Sequence, residues 1–561
     1  MSKKWQISKQ FTTDNSLVTA EKIIEDILKD RGIVSAKDRE DFLNPPEPDT
    51  LSPKDVGIDP KVLASVISRI ETAIKKKESV VVYADYDADG ITAGAILWET
   101  LWKLGARVMP YIPHRVDEGY GLSEKGIDAV REQYDPSLII TVDHGITAWK
   151  QVEYAKKLGI EVIITDHHVK PDTLPKCPIV HTTKLSGSGV SWFLAKELNH
   201  LHHVEERDLI ALPAIGTIAD LLPLIGLNRS IVKFGLAAIR RTKRVGLEAL
   251  IRESGIEKPS LDTYAVSHML APRLNAMGRL EHALDALRLL CTKDFDKAAL
   301  LAQKLGLTNK ERQKLTEETV THARDGFIKS MGDEANVGKL IFLYHESYNP
   351  GIIGLVAGRL TEEYYRPTIV LAINDGFAKA SARSIPGFNI VEAIRSCSDL
   401  LVDVGGHPMA AGFTIETKNI EKLQKKLMTL AQKELTDEKL IRVLKIDAEI
   451  SLDSVTPEIW KELQKLAPFG FGNYEPVFAT RGVMISDIRI IGATKKHLKL
   501  KIKAPGPSEP IDAVAFNMAG EYGSVQPKTI VDIAYTIDMN EWNGKRNLQL
   551  KIKDIVAAKV K

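Results

Sequence analysis

Carboxylates crowd the segment Tyr83-Ala-Asp85-Tyr-Asp87-Ala-Asp89-Gly90, where three acids at alternate positions follow the apolar run Val80-Val81-Val82. Like charges this close repel unless something positive sits between them, and a divalent metal ion suits that place. A solvated acidic turn or a set of helix N-caps is the competing reading of the triplet alone. On an extended segment alternate side chains share one side, so Asp85, Asp87 and Asp89 converge while Tyr86 and Ala88 point away. Ile139-Ile-Thr-Val-Asp143-His144-Gly145 is a second acid after an apolar run, although Asp also caps helices in such places. Val162-Ile-Ile-Thr-Asp166-His167-His168 adds two imidazoles. One can bind metal while the other faces a substrate oxygen, and Asp166 is placed to orient a ring. Gly216-Thr-Ile-Ala-Asp220-Leu-Leu-Pro223 sets an acid among apolar residues. A buried acid needs a partner, here a metal, a helix N–H or Arg229.

Asp87, Asp89, Asp143, His167 and Asp220 together form a carboxylate set with one imidazole, which suits Mn²⁺ or Mg²⁺ and tilts toward Mn²⁺. Five ligands exceed the needs of one ion. Two ions bridged by one acid, roughly 3.5–4 Å apart, would activate a water and stabilise the leaving oxygen at phosphorus. The reaction class is phosphoester hydrolysis.

The elements that must position these groups are short apolar runs separated by helical segments: Val80–Ala84, Arg107–Ile112, Leu138–Val142, Val162–Thr165 and Ile179–His181. Alternation of this kind predicts an α/β fold with a parallel, doubly wound sheet over residues 56–230. Ligands bind beyond the carboxyl ends of the strands in such sheets, which is where the acids lie. Residues 1–55 form an N-terminal segment ending in the Pro-rich loop Asn44-Pro-Pro-Glu-Pro. Residues 231–330 are helical, with a long connecting helix or helix pair from Asp294 to Ile328. Strand-like runs return over 331–435 as a second α/β domain. Short alternating strands separated by turn residues such as Asn543-Gly544 fill 436–561 and predict a small β-barrel.

At 561 residues the chain exceeds one core. A net charge of +2 excludes a protein coated in basic residues but leaves room for a local basic groove. Three scattered cysteines exclude a disulfide scaffold or a cysteine zinc site and fit a reducing cytoplasm. No apolar run is long enough to span a membrane, and no signal-peptide pattern follows Met1.

Asp-Tyr-Asp-Ala-Asp-Gly, Thr-Val-Asp-His-Gly-Ile, Thr-Asp-His-His and Gly-Thr-Ile-Ala-Asp are similar, in that order, to the four motifs of the DHH phosphoesterase superfamily. The resemblance extends to its bacterial RecJ family of single-strand-specific exonucleases and covers nearly the whole chain. It includes the segments 113–122, 271–279, 351–359 and 381–389, Gly405-Gly-His407 of a DHHA1 domain, and 466–478 before an OB-fold barrel. His144 departs from the Asn or Cys common in the family. The resemblance implies 5′-to-3′ removal of nucleotides from single-stranded DNA in repair and recombination. It implies two metal ions, Mn²⁺ or Mg²⁺, one held by Asp87 and Asp143 and the other by Asp89, Asp143, His167 and Asp220, with Asp143 bridging. His168 would contact the scissile phosphate, and Asp85 would be a weak or indirect ligand. The implied protein is a cytoplasmic monomer, away from membranes, with a helicase and a single-strand-binding protein as candidate companions.

Ser381 and Arg383 make a plausible phosphate clamp. Given the resemblance, a 5′-phosphate pocket with Arg115 is favoured over a surface arginine in a turn. His407 either approaches a phosphate or packs in a domain interface. Arg273, Asn275 and Arg279 either line the path of the strand or, for Arg279, form a structural ion pair. Lys495-Lys-His-Leu-Lys-Leu-Lys-Ile-Lys503 is a basic ribbon with Tyr535 and Trp542 as stacking partners; lysines guarding an edge strand are the common alternative, and the two readings can hold together. Two other functions compete: a phosphoesterase for oligonucleotides or nucleoside bisphosphates, and a DNA-binding scaffold without catalysis.

Overall fold

The strand Ser79–Ala84 is paired on both sides in a parallel sheet and is buried along its whole length. Val80, Val82 and Ala84 face one hydrophobic core, Val81 and Tyr83 another. Burial on both faces is why this strand reads as a continuous apolar run rather than an alternating one. A computed structural model describes residues 3–10, 19–115, 118–331, 337–506, 509–542 and 544–558. Val116 and Asp117 of the 113–122 motif, and Asn543, fall outside these, as does the side chain of Trp542.

The first sheet contains, in chain order, Ser79–Ala84, Arg107–Tyr111, Leu138–Val142, Glu161–Asp166 and Ile179–His181. Numbered that way their spatial order is 2-1-3-4-5, all parallel. The order reverses between Ser79–Ala84 and Leu138–Val142, and the crevice beyond that switch point is where such folds bind ligands. Asp85 to Asp89 follow the first of these strands and Asp143 the second.

The following helices do not form a layer of their own. Residues as far as Leu305 share the core beneath the sheet. One continuous helix, Phe295–Met331, then leads to the second domain; at 1.5 Å per residue it is about 55 Å long. Its sheet has the order Leu401–His407, Ala410–Glu416, Phe377–Arg383, Thr368–Asn374, Ile341–His345, antiparallel except for the last pair.

The C-terminal barrel consists of Phe478–Ile491, His497–Lys503, Ile511–Ala515, Lys545–Ala557 and Ile530–Trp542. Pairing of Phe478–Ile491 with Ile530–Trp542 closes it. The N-terminal segment joins this domain. Lys4–Gln10 pairs in parallel with Val443–Glu449, and Ile23, Ile27, Leu28 and Phe42 enter the barrel's core. Two expectations fail here. His497–Lys503 is paired on both sides, so its lysines guard no edge. Tyr535 is fully buried with its hydroxyl 2.8 Å from that of Thr480, so it stacks on no base.

Candidate metal centre

The acids converge by a different route from alternation. The strand ends at Ala84, and Asp87 becomes the N-cap of the helix Ala88–Lys103, its Oδ1 accepting from the N–H groups of Asp89 and Gly90 at 2.9 and 3.0 Å. Asp89 lies in the first turn of that helix. It also accepts from the first two amides of a second helix, Gly187–Leu201, at 2.7 and 3.0 Å. Two helix N-termini therefore serve this pair of carboxylates, one Asp87 and the other Asp89, an arrangement that favours negative charge. Asn275 accepts the Ala88 N–H at 2.8 Å, which completes the cap.

Asp143 follows its strand in the left-handed backbone region, with φ 65°. That conformation is uncommon for residues with a side chain, and Asp tolerates it better than most. His144 is buried, and burial pushes its imidazole down to about 4. The neutral ring donates Nε2–H to the carbonyl of Tyr83 at 2.9 Å and ties the Asp143 turn to the strand before Asp85. His167 Nε2 lies 3.2 Å from Asp143, 3.6 Å from Asp220 and 4.0 Å from Asp89. Asp220 caps the C-terminus of the helix Ala211–Ala219 and forms the rim, its side chain 35% exposed.

Three groups result among the described residues. Oxygens of Asp85, Asp87 and Asp143 lie within 4.8 Å of one another, as do ligand atoms of Asp89, His167 and Asp220, and a third group of Asp143, His167 and His168 joins these two. Burial, then repulsion from Asp89, Asp87, Asp85 and Asp220, raises the Asp143 carboxyl well above its usual range. Burial and Asp87 do the same to Asp85, while burial and Asp89 raise Asp87. Asp143 Oδ1 is buried with no hydrogen-bond partner among the described residues. A buried acceptor without a donor is costly. An oxygen-rich set with one imidazole, mutual repulsion and an orphaned oxygen all fit a pair of hard divalent ions.

Close approach leaves room for nothing larger than glycine at several points around the cluster, Gly187 and Gly216 among them. A Cβ on Gly187 would lie 2.1 Å from Asp143 Oδ1, and one on Gly216 would lie 2.2 Å from Asp89 Oδ1. These glycines, like His144 and the cap from Asn275, carry no sequence signal of their own; only the packed elements reveal them.

Asp166 does not join the ligand groups. Its carboxylate accepts from the N–H groups of Ile146, His167 and His168 and from His168 Nδ1 at 2.7–3.0 Å. Burial opposes its ionisation, but His168 and these amides hold it below the usual carboxylate range. Burial likewise opposes charging of His168, yet the bond to Asp166, with Asp220 and Asp85 nearby, lifts it to about 9. His168 thus presents a protonated ring to the cluster, and His181 holds the turn by donating to the His168 carbonyl at 2.7 Å.

Beside the acids a cleft of about 640 Å³ opens between the two α/β domains, lined by Tyr86, Arg115, Tyr120, Arg279, Ser381 and Arg383 among others. Tyr86 faces this cleft rather than pointing away: Arg115 lies 4.9 Å over its ring, and Tyr120 meets it edge-on at 6.1 Å. Arg383 donates to Ser381 Oγ at 3.1 Å. A Cβ on Gly354, in the first turn of the helix Ile353–Tyr364, would lie within 3.1 Å of both side chains. Arg279 forms no ion pair among the described residues and donates to the Gly351 carbonyl at 3.0 Å. Burial, with Arg115, Arg312 and Arg383 nearby, pushes it down to about 10. Three guanidiniums thus line one cleft; Glu281 and Asp403 line it too, but among the described residues no salt bridge ties up Arg115, Arg279 or Arg383, which leaves them to bind phosphate oxygens.

Other expected residues lie elsewhere. Arg273 is ion-paired with Glu253 and bonded to the Met269 carbonyl. Asn275 spends its carbonyl on the helix cap. His407 is exposed at the end of a hairpin strand and packs in no interface. Arg229 makes no salt bridge to Asp220; its guanidinium bonds the carbonyls of Phe42, Leu466 and Ala467.

A doubly wound sheet with an acid–imidazole cluster at its switch point, facing a guanidinium-lined second domain, defines a metal-dependent phosphoesterase of the DHH class. Family models agree: the DHH family N-terminal domain matches residues 79–218, the DHHA1 domain 337–433 and the RecJ OB domain 446–554. The single-stranded-DNA-specific exonuclease RecJ of Bacillus subtilis (strain 168) is 38% identical over 95% of this chain and 67% of its own length. That of Salmonella typhimurium is 31% identical over 88% and 89%. Among solved structures, RecJ in complex with Mn²⁺ from Thermus thermophilus superposes with a TM-score of 0.81 at 29% identity, covering 99% of this chain and 80% of that one. A Mg²⁺ complex of the same protein matches with a TM-score of 0.76 at 28% identity, covering 99% and 79%. The chain belongs to the RecJ family of single-stranded-DNA-specific exonucleases.

Proposed function

We propose that this chain hydrolyses single-stranded DNA from its 5′ end, using two Mn²⁺ or Mg²⁺ ions. The carrying observation is the set of ligand groups linked through Asp143 and His167 beside a guanidinium-lined cleft. Asp85, Asp87 and Asp143 would hold one ion, and Asp89, Asp143, His167 and Asp220 the other. Bound there, the ions supply an activated water and neutralise charge at phosphorus. The chain's own residues do the rest. Asp166 holds His168 protonated, with its second ring nitrogen available to a phosphate oxygen. Arg383, Ser381, Arg279 and Arg115 receive the terminal 5′-phosphate. Tyr86 and Tyr120 offer ring faces to the first bases. The exposed Lys499 and Lys501 of the barrel lie on its outer surface and suit a backbone contact farther along the strand. No helix among the described residues is long and apolar enough to cross a membrane; the same reading has the protein act on DNA in the cytoplasm, in repair and recombination.

Cleavage of 5′-labelled single-stranded, duplex and dinucleotide substrates with Mn²⁺ tests this. Degradation of the single strand alone is expected. Cleavage confined to the dinucleotide would transfer the reading to a small-substrate phosphoesterase, and no cleavage would favour a DNA-binding scaffold.

A further inference from the structure

The connector entering the barrel, residues 465–474, is held along its length. The Arg229 guanidinium donates to the carbonyls of Lys465, Leu466 and Ala467 at 3.4, 2.9 and 2.7 Å. Buried Asn473 donates to the carbonyls of Leu466 and Pro468 at 2.8 and 2.9 Å and accepts from Arg31. The Thr263 hydroxyl bonds the Phe469 carbonyl at 2.6 Å. Gly470 and Asn473 exchange backbone bonds at 2.9 and 3.1 Å, and the Leu224 N–H donates to the Phe471 carbonyl at 2.7 Å. Every carbonyl from Lys465 to Phe471 therefore has a donor.

The same connector presses on the turn that carries Asp220. Gly472 has φ 73°, and a Cβ there would lie 2.8 Å from Pro223 Cβ and 3.0 Å from its Cα. A Cβ on Gly470 would meet Leu224 Cδ1 at 2.6 Å. Between the helix end and these contacts lie Asp220, Leu221 in the left-handed region with φ 57°, and Leu222. The carboxylates of Asp87 and Asp89 are fixed by backbone amides. Among the described residues no hydrogen bond fixes that of Asp220, so its place depends on how the turn is held.

We infer that residues 465–474 are a strut that positions Asp220, so that the seating of the barrel sets the geometry of the outer metal site. Gly472 and Asn473 are then positioning residues. Arg229 clamps the strut from the helix Gly226–Arg241, which follows the same turn. This rests on the reading of Asp220 as a metal ligand.

Calorimetric titration of the full chain with Mn²⁺ separates the two claims. Asp220→Asn tests the ligand, Gly472→Ala the strut, and Gly482→Ala is a control. Gly482 also has a positive φ, 64°, but its Cβ would meet nothing within 4 Å. Loss of a group that orients a ligand costs about 10- to 100-fold in metal affinity. Gly472→Ala and Asp220→Asn should each weaken one binding step by about tenfold or more, while Gly482→Ala stays within about twofold. For Gly472→Ala, kcat should fall while KM for single-stranded DNA holds. Mn²⁺ affinity unchanged in Gly472→Ala but weakened in Asp220→Asn would overturn the strut. Affinity unchanged in Asp220→Asn would overturn the ligand and the strut with it. Should Gly472→Ala fail to fold, Gly470→Ala decides: it needs no left-handed backbone and displaces only the flexible end of Leu224, so a loss of about threefold or more supports the strut and parental affinity overturns it.

Discussion

Replacing Asp143 by Asn should make the metal-free protein more stable and the metal-loaded protein inactive. Asn tolerates left-handed backbone as well as Asp does, so φ 65° at this position is preserved. What changes is charge. Oxygens of Asp85, Asp87 and Asp143 lie within 4.8 Å of one another. At that separation an effective dielectric of about 20 gives about 3.5 kcal/mol of repulsion per pair of full charges. Burial raises all three carboxyls, so the metal-free site keeps part of its protons and only part of that repulsion is present. Relief of about 2 kcal/mol corresponds to a rise of about 4–8 °C in the unfolding midpoint of a domain of 150–250 residues. With Mn²⁺ the order should reverse. Saturation at a hundred times Kd adds about 2.7 kcal/mol per site to the parent, and the Asn variant forgoes much of this. Scanning calorimetry of both proteins, in chelator and in Mn²⁺, reads both halves. Cleavage should fall by about a thousandfold or more, since a bridging ligand supports several kcal/mol of charge stabilisation. Strand binding, followed by fluorescence anisotropy, should persist. A metal-free midpoint at or below that of the parent, or an equal Mn²⁺ shift in both proteins, would refute the bridging role.

Arg383→Ala should erase the preference for 5′-phosphorylated over 5′-hydroxyl strands by about 10- to 100-fold, the value of a charged hydrogen bond of about 1.5–3 kcal/mol. An unchanged ratio in a competition assay would remove Arg383 from the phosphate site. Glu99 sits 2.5 Å from Arg244 and 2.8 Å from Lys103, with side chains 9% and 10% exposed for the Glu99–Arg244 pair. Glu99→Ala should therefore destabilise the catalytic domain by about 3 kcal/mol, whereas breaking the exposed pair Arg395–Glu392 should cost about 0.5 kcal/mol or less. Burial would raise the Glu99 carboxyl, but Arg244 and Lys103 lower it below its ordinary 4.5. The pair's stabilisation is then complete above that value and fades as pH falls through the lower folded one; denaturant titrations from about pH 7 down to about pH 3 that show no narrowing of the Glu99→Ala gap would contradict it.

Much of the catalytic sheet is legible in the sequence because its strands are buried on both faces, and continuous runs such as Val80-Val81-Val82 have few other uses. The acids are legible for a related reason: an Asp directly after such a run must sit at the strand's carboxyl end. What the chain conceals depends on long-range pairing. Lys4–Gln10 shows no sign that its partner is Val443–Glu449. Arg229 looks like a partner for Asp220 because the two are close in sequence, yet its guanidinium is taken up by carbonyls contributed from residues 42 and 465–467. Tyr86 falls on the wrong side when period-2 alternation is carried past Ala84, where the strand ends. The barrel lysines read as a ribbon, an edge guard or both, and only the pairing of His497–Lys503 on both sides removes the edge.

The way the acids are held explains why metal binding should centre on Asp143. An acid cluster can persist without ions if backbone donors carry part of its charge. Asp87 and Asp89 have that support from two helix N-termini, and Asp166 from three amides and a histidine. Asp143 has none at Oδ1, stands in a strained backbone conformation, and is confined by the bare Cα of Gly187. A hydrogen-bond donor at that oxygen would stabilise the metal-free fold but compete for the lone pair an ion needs. The fold therefore leaves an oxygen of a strongly repelled carboxylate unbonded where the Asp143–His167–His168 group joins the other two, and a cation there relieves repulsion without displacing a hydrogen bond already made.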